Sequence, residues 1–389
     1  MDPFIPYGKQ WIEDEDIQAV VDVLKGDFLT QGPKIEEFEK ALCDYTGAKY
    51  SVAVSNGTAA LHIAVLALGL EPGSEGIASP NTFVASANCL AYAGLTPVFA
   101  DIDPATYTLD PQETAKKVTP KTKVLIPVDF AGQPADMEAF SEMAKQHGLK
   151  VIEDAAHAIG TVYKNGKKVG SGCYSDMTIF SFHPVKTITT GEGGAVLTND
   201  PELYKKLTLL RSHGITKREE DLTEHPGPWY YEMQSLGFNY RLTDLQAALG
   251  VVQMGKIEKF LSHRRSVVDR YNQAFASVPL LTIPQEREGA SSAFHLYVLQ
   301  IDFEALGLSR AEVMGRLKAK GVGTQVHYIP VHLQPYYRET YGYKEGDFPR
   351  AEEYYSRCLS LPLYPKMQDE EIERVIAAVK EMATGASHE

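Results

Sequence analysis

Between residues 51 and 198 the chain alternates short apolar runs of strand length with stretches whose apolar residues recur at helical spacing. The runs are Ser51 to Val54, Thr96 to Ala100, Lys123 to Phe130, Leu149 to Glu153, Met177 to Phe182 and Ala195 to Thr198. Helical stretches lie among them at Ala59 to Leu70, Val84 to Tyr92 and Met137 to His147. Strands alternating with helices predict an α/β chain built on a large, mostly parallel, doubly wound sheet. Two amphipathic helices are expected before it. Ile17, Val20, Val21 and Leu24 form one stripe that stops at Gly26, and Ile35, Phe38 and Leu42 form the next. Beyond Arg241 the texture changes. Leu242 to Phe260 reads as one long helix, followed by a strand at His295 to Ile301 and helices at Arg310 to Lys320 and Glu370 to Met382. The expected division is a large α/β domain over 1–250, N-terminal segment included, and a smaller α+β domain over 251–389.

Two residues stand where strand-like runs of such a sheet end, which is where ligands bind. Asp154 closes the run Leu149 to Ile152, and Lys186 follows Asp176 to Phe182 and precedes Gly191-Glu192-Gly193-Gly194. An amine able to condense with an aldehyde, and an acid able to keep a pyridine nitrogen protonated, are what pyridoxal phosphate chemistry requires. Each residue alone has a plainer reading, the Lys as a solvated charge and the Asp as a helix cap.

Gly57, Thr58 and Ala59 open a helix after the run ending at Val54, so their N–H groups and the helix dipole suit the cofactor phosphate; a plain Ser55 or Asn56 cap fits the same residues. Phe83 has the ring to cover one face of a pyridine, or is a core aromatic. His157, three residues after Asp154, is placed to touch the ring hydroxyl, or is a structural His. Ser181 offers a hydroxyl to the phosphate, or is a strand-edge Ser facing solvent.

Composition removes other classes. A net charge of −13 without a Lys/Arg cluster argues against nucleic acid as a partner. Cys43, Cys89, Cys173 and Cys358 are too scattered for a zinc site or a disulfide framework and read as reduced thiols. No H-E-x-x-H, Walker sequence or strand-linked G-x-G-x-x-G occurs, so no metal is expected. The first residues lack a basic region followed by an apolar core, and Ala59 to Leu70 falls short of the roughly 20 residues a bilayer needs. The expected location is the cytoplasm, with no membrane association.

The chain resembles the DegT/DnrJ/EryC1/StrS family of sugar-nucleotide aminotransferases, which have the fold-type-I pyridoxal phosphate transferase architecture. The resemblance covers nearly the whole chain. It is carried by Ser55-Asn56-Gly57-Thr58-Ala59-Ala60-Leu61, Thr96-Pro97-Val98-Phe99-Ala100-Asp101, Glu153-Asp154-Ala155-Ala156-His157, Ser181-Phe182-His183-x-x-Lys186, Gly191-Glu192-Gly193-Gly194 and Gly237-Phe238-Asn239-Tyr240-Arg241-Leu242. It implies pyridoxal 5'-phosphate as cofactor and Lys186 and Asp154 as the catalytic pair. It also implies that Asn239 reaches the cofactor phosphate of a neighbouring subunit, hence a homodimer with shared active sites. Family members that dehydrate sugars carry His in place of the Schiff-base Lys, so Lys186 implies transamination.

Asp27 to Gly32, Leu210 to Gly214 and Gln325 to Pro330 are most similar to the branch serving pseudaminic acid biosynthesis. That branch moves nitrogen from L-glutamate to the C4 ketone of a UDP-linked 4-keto-6-deoxy-N-acetylhexosamine, giving UDP-4-amino-4,6-dideoxy-N-acetyl-β-L-altrosamine. The same resemblance implies a sugar-nucleotide site lined by Tyr7, Asp27, Phe28, Leu29, Thr30, His327, Tyr328, Ile329 and Pro330. Val128 to Asp136 and Tyr336 to Glu339 are similar instead to the 4-amino-4-deoxy-L-arabinose branch, which keeps the sugar open. A regulator that binds a sugar nucleotide without catalysis is the remaining alternative; it would have no use for Lys186.

Overall fold

The structure, a computed structural model, describes residues 3–384; the outer ends of the two expected domains, 1–2 and 385–389, lie outside it. The central element is a seven-stranded sheet of β1 (Tyr50–Val54), β2 (Glu75–Ala78), β3 (Thr96–Phe99), β4 (Thr122–Ile126), β5 (Lys150–Asp154), β6 (Met177–Ser181) and β7 (Gly194–Thr198), in the order β1-β7-β6-β5-β4-β2-β3. β2, β3, β4, β5 and β6 pair in parallel, whereas β7 runs antiparallel to both β6 and β1. Helices cover both faces, so most strand residues are buried whichever way they point. That is why the strands read as continuous apolar runs.

The helices of this part are α1 (Asp14–Lys25), α2 (Pro33–Thr46), α3 (Gly57–Ala67), α4 (Ala85–Tyr92), α5 (Pro111–Ala115), α6 (Met137–His147), α7 (Pro201–Arg211) and α8 (Asp244–Gly255). One core holds Ala60, Ile63 and Ala64 of α3, Leu90 of α4 and Leu203 and Leu207 of α7. The opposite core holds Phe38 and Leu42 of α2, Phe140 of α6 and Ala247 of α8. A short hairpin, β8 (Ile215–Thr216) with β9 (Glu232–Met233), follows α7.

At the β1 edge, side chains replace a further strand. Glu39 Oε1 accepts from Ala53 N at 2.8 Å, Arg211 Nη1 donates to Ala53 O at 3.0 Å, and the two charges meet at 2.5 Å. This satisfies edge groups that would otherwise invite another chain.

The smaller unit is the antiparallel sheet β10 (Leu281–Thr282), β11 (Tyr297–Ile301) and β12 (Cys358–Leu361) with α9 (Ile257–Phe275), α10 (Phe303–Leu306), α11 (Arg310–Ala319) and α14 (Asp369–Thr384). Two segments cross the expected boundary. Ile5 packs in the small core and pairs with Val322, with Ile5 N donating to Gly321 O at 2.8 Å. In the other direction, α12 (Pro335–Tyr341) and α13 (Pro349–Arg357) place Tyr337, Ala351 and Tyr354 in the core of the large sheet.

Three expectations change. The helix expected over Leu242 to Phe260 breaks at Lys256, just after Gly255. The Lys256 ammonium is caught there by Asp16 at 2.8 Å and Glu13 at 3.1 Å, so the acidic start of α1 pins the corner. The strand expected over Lys123 to Phe130 stops at Ile126, because Pro127 follows and residues 130–132 form a 3-10 turn with Ala131 at φ 58°. The apolar stripe of α1 does not face the core: Ile17 and Leu24 are 55% and 58% exposed, and Val23 and Asp16 are buried instead.

Candidate active site

A cavity of about 910 Å³ opens where β5 and β6 end, bounded by the start of α3, the start of α4 and the loop after β6. Asp154, the last residue of β5, lines it together with Ala156 and His157. The loop from Phe182 to Gly193 brings in Lys186. It is tied to itself by Phe182 N to Gly193 O at 2.9 Å, Thr190 N to Phe182 O at 3.0 Å and Lys186 N to His183 O at 2.9 Å.

The start of α3 is shaped for close approach. Asn56 caps the helix, its side chain accepting from Ala59 N at 2.8 Å. The cap therefore takes the donor of Ala59, and the first-turn N–H groups of Gly57 and Thr58 remain for a ligand. A Cβ on Gly57 would sit 2.9 Å from Ser181 Cβ, and one on Gly194 would sit 2.5 Å from Asn56 O. Ser181 is therefore the side chain against the helix start, not a residue turned to solvent.

Asp154 is buried and held at both oxygens. Ser86 Oγ donates to Oδ2 at 2.5 Å and Ala156 N to Oδ1 at 3.1 Å. Burial raises its pKa above the usual carboxylate value; Ser86, Ala156 and the Lys186 charge pull the other way. Lys186 is half-buried. Burial lowers its ammonium to about 8, with Asp154 opposing the drop.

His157 has both ring nitrogens engaged. Ala131 N donates to Nδ1 at 3.2 Å, and Nε2 lies 3.2 Å from the Tyr328 hydroxyl. Burial, reinforced by Lys186 and His327, keeps the ring neutral. A neutral ring that accepts at Nδ1 carries its proton on Nε2 and donates it to Tyr328, whose own O–H is then directed elsewhere.

His327 is also buried, 2.7 Å from Ser360 Oγ through Nδ1, and burial lowers it to about 3. Tyr7 reaches this wall because the N-terminal segment docks on the small sheet, its ring 5.5 Å from that of His327. Phe83 lines the cavity and remains 55% exposed, its ring 6.1 Å from Tyr328.

Of the residues singled out in the sequence, Tyr7, Gly57, Thr58, Ala59, Phe83, Asp154, His157, Ser181, Lys186, His327 and Tyr328 share this cavity. Ile329 and Pro330 extend beyond it, and Asp27, Phe28, Leu29, Thr30 and Asn239 are exposed outside it. Outside the cavity, Thr30 pairs with Thr243, Asp244 N donates to Leu29 O at 3.1 Å, and Asn239 pairs with Ser212. Sequence reasoning missed Ser86, His295 and Tyr240, all of which line the cavity. Ser86 falls three residues after Phe83 in the first turn of α4, a helical spacing that was available to be read.

The residues fit pyridoxal phosphate. Asp154 is a buried acid with a cavity in front of it, Lys186 is an amine with a depressed pKa on the same cavity, and a glycine-opened helix start with a serine beside it suits a phosphate.

The model of the DegT/DnrJ/EryC1/StrS aminotransferase family matches residues 10–380. The spore coat polysaccharide biosynthesis protein SpsC of Bacillus subtilis is 45% identical over 384 residues, covering 98% of each chain. Among solved structures, Helicobacter pylori PseC, an aminotransferase of pseudaminic acid biosynthesis, is 32% identical with a TM-score of 0.91, over 98% of this chain and 100% of that one. DesV of S. venezuelae, solved in complex with a ketimine intermediate, is 33% identical with a TM-score of 0.89, over 98% and 99%.

Proposed function

Because the chain belongs to the DegT/DnrJ/EryC1/StrS family and is a pyridoxal-phosphate-dependent sugar aminotransferase, we propose that it carries nitrogen from L-glutamate to the C4 ketone of a UDP-linked 4-keto-6-deoxy-N-acetylhexosamine. The product on this reading is UDP-4-amino-4,6-dideoxy-N-acetyl-β-L-altrosamine, a step in making pseudaminic acid. The observation that carries the transamination is Lys186 and Asp154 facing one cavity, Asp154 at the end of β5 and Lys186 in the loop that follows the neighbouring parallel strand β6.

When bound, the cofactor supplies the aldehyde carbon that holds the travelling amino group and a ring that takes up electrons. The chain's own residues do the rest. Asp154 would hold a proton on the ring nitrogen, Gly57, Thr58 and Ser181 would bind the phosphate, and Phe83 would cover a ring face. His157 would contact the ring hydroxyl through Nε2, in place of its present partner Tyr328. Lys186 Nζ moves a proton between carbon atoms, which an amine titrating near 8 can do at neutral pH. Tyr7, His327 and Tyr328 form the wall for the sugar.

We further assign Asp27 to Thr30, Ile329, Pro330 and Asn239 to a site shared between two copies. The support is that Asp27 to Thr30 and Asn239 are exposed and lie outside the cavity of their own chain. A homodimer lets each copy lend this surface to its partner's cavity. The four cysteines are free thiols, which suits a reducing compartment and hence the cytoplasm. No described helix is long and apolar enough to cross a membrane.

The higher identity to SpsC favours a second reading, in which the keto sugar is another nucleotide-linked one, such as the 4-amino-4-deoxy-L-arabinose type, destined for a different glycan. Incubation with glutamate and a panel of nucleotide-linked 4-keto sugars, 6-deoxyhexoses and the 4-keto pentose among them, scored by 2-oxoglutarate release and NMR of the product, separates the readings. Turnover of the L-altro precursor to the 4-amino product supports the first. Release with a different keto sugar supports the second, and release with none, cofactor being bound, leaves only the sugar-nucleotide-binding regulator.

A further inference from the structure

Ser86 is 1% exposed and sits in the first turn of α4, where no part of the catalytic assignment uses it. Its hydroxyl has three neighbours: Asp154 Oδ2 at 2.5 Å, Thr82 Oγ1 at 2.7 Å and Phe83 O at 3.3 Å. A hydroxyl has one proton to give. Asp154 is the shortest and, as an acid, the strongest acceptor, so Ser86 donates to it. Thr82 must then be the donor in the Thr82–Ser86 pair. The direction of the chain is thus set: Thr82 O–H to Ser86 O–H to Asp154, all three residues buried.

Each oxygen of Asp154 has a donor, Ser86 on Oδ2 and Ala156 N on Oδ1. Donors favour the ionised carboxylate and oppose the burial that would otherwise protonate it. A protonated Asp154 could not accept a proton from a ring nitrogen. Successive hydrogen bonds polarise one another, so Thr82 strengthens what Ser86 does.

We propose that Ser86, oriented by Thr82, is a positioning residue that holds Asp154 ionised and aimed into the cavity, and so keeps the proton on the nitrogen of the bound cofactor. The proposal rests on the assignment of Asp154 to that nitrogen. It adds that Thr82, Phe83 and Ser86 act as one turn, with the ring cover and the donor to the acid on consecutive faces of the same segment. The charged and titratable groups around Asp154 are Lys186 from the loop after β6, Tyr328, Cys89 of α4 and Asp129.

The test uses the full chain with Ser86→Ala, Ser86→Thr, Thr82→Val and Asp154→Asn, and reads two quantities besides turnover. These are the cofactor dissociation constant and the pH midpoint of the visible absorbance of the loaded protein. Loss of one hydrogen bond to a charged acceptor corresponds to on the order of tenfold or more. Ser86→Ala is expected to weaken cofactor binding about tenfold and to move the pH midpoint. Thr82→Val, which leaves Ser86 in place, should do the same to a smaller extent, about threefold, and Ser86→Thr should restore both. A Ser86→Ala protein whose affinity falls while its pH midpoint stays at the wild-type value overturns the proposal, as does one unchanged in both. If Ser86→Ala does not fold, Thr82→Val decides by the same two readings. If Asp154→Asn leaves both quantities unchanged, the underlying assignment of Asp154 fails; if Asp154→Asn alters them and neither hydroxyl variant does, only the present inference fails.

Discussion

The depressed pKa of Lys186 has a measurable consequence for loading the cofactor. Only a neutral amine attacks an aldehyde. At pH 7 an ordinary lysine at 10.5 is neutral to about 0.03%, whereas one at about 8 is neutral to about 9%, a gain on the order of 300-fold in reactive amine. The rise of visible absorbance after mixing chain stripped of cofactor with pyridoxal phosphate, followed by stopped flow between pH 6 and pH 10, should therefore show a rate midpoint near 8. Asp154→Asn removes the charge that opposes the drop, so its midpoint should lie lower still, even though the final complex is weaker. Stability follows with a definite sign. Because the folded value lies below the unfolded one, the unfolded chain binds more protons between about 8 and 10.5, and folding grows more favourable as pH rises through that window. Lys186→Met should accordingly be more stable than wild type at pH 7, with the difference closing toward pH 10.5 in urea titrations. A wild-type midpoint near 10.5, or a higher midpoint in Asp154→Asn, would refute the reasoning.

Two further outcomes are open to direct measurement. Gly57→Ala forces a methyl to within 2.9 Å of Ser181 Cβ at the helix start, and should weaken cofactor binding by roughly tenfold or more in a fluorescence titration while shifting the thermal midpoint little. Asp129 and Glu153 are both buried, and burial together with the neighbouring acid holds Asp129 well above the usual carboxylate range. A carboxyl raised in the folded state contributes stability at low pH that is lost as pH climbs past its unfolded value of about 4. Asp129→Asn keeps an acceptor for Ala135 N, which donates to Oδ1 at 2.9 Å, and removes the repulsion. It should raise the unfolding free energy from urea titrations by about 1 kcal/mol at pH 8, and leave it unchanged at pH 4.

What could be read from the sequence was what local residues decide. Met137 to His147 is helical over the expected span because Asp136 caps its start and Gly148, at φ 65°, ends it. The runs at β5, β6 and β7 were visible because helices on both faces leave most of their positions apolar. Elements decided by distant partners were not visible. β2 is four residues long and contains Gly76, which is needed because a Cβ there would strike Leu90 of α4 at 2.3 Å. The corner at Lys256 depends on Asp16, 240 positions away, and the partner of Asp154 lies 68 positions upstream. α7 had local signals in Asp200 and Pro201, a cap and a first-turn proline, that went unread. The stripe on α1 was real as a pattern, but periodicity cannot say what an apolar face meets; Ile17 and Leu24 stay exposed while the buried side carries an acid.

The reversal of β7 has a consequence for where the reactive amine sits. Since β7 runs back beside β6, the connection between them leaves and re-enters the sheet at the same end, without a helical crossover to the far rim. Residues 182–193 form a rim structure closed by its own hydrogen bonds. That rim carries Lys186, so the amine is held between two strands that meet at one end of the sheet, and any change in the length of the rim moves the amine while every strand keeps its pairing.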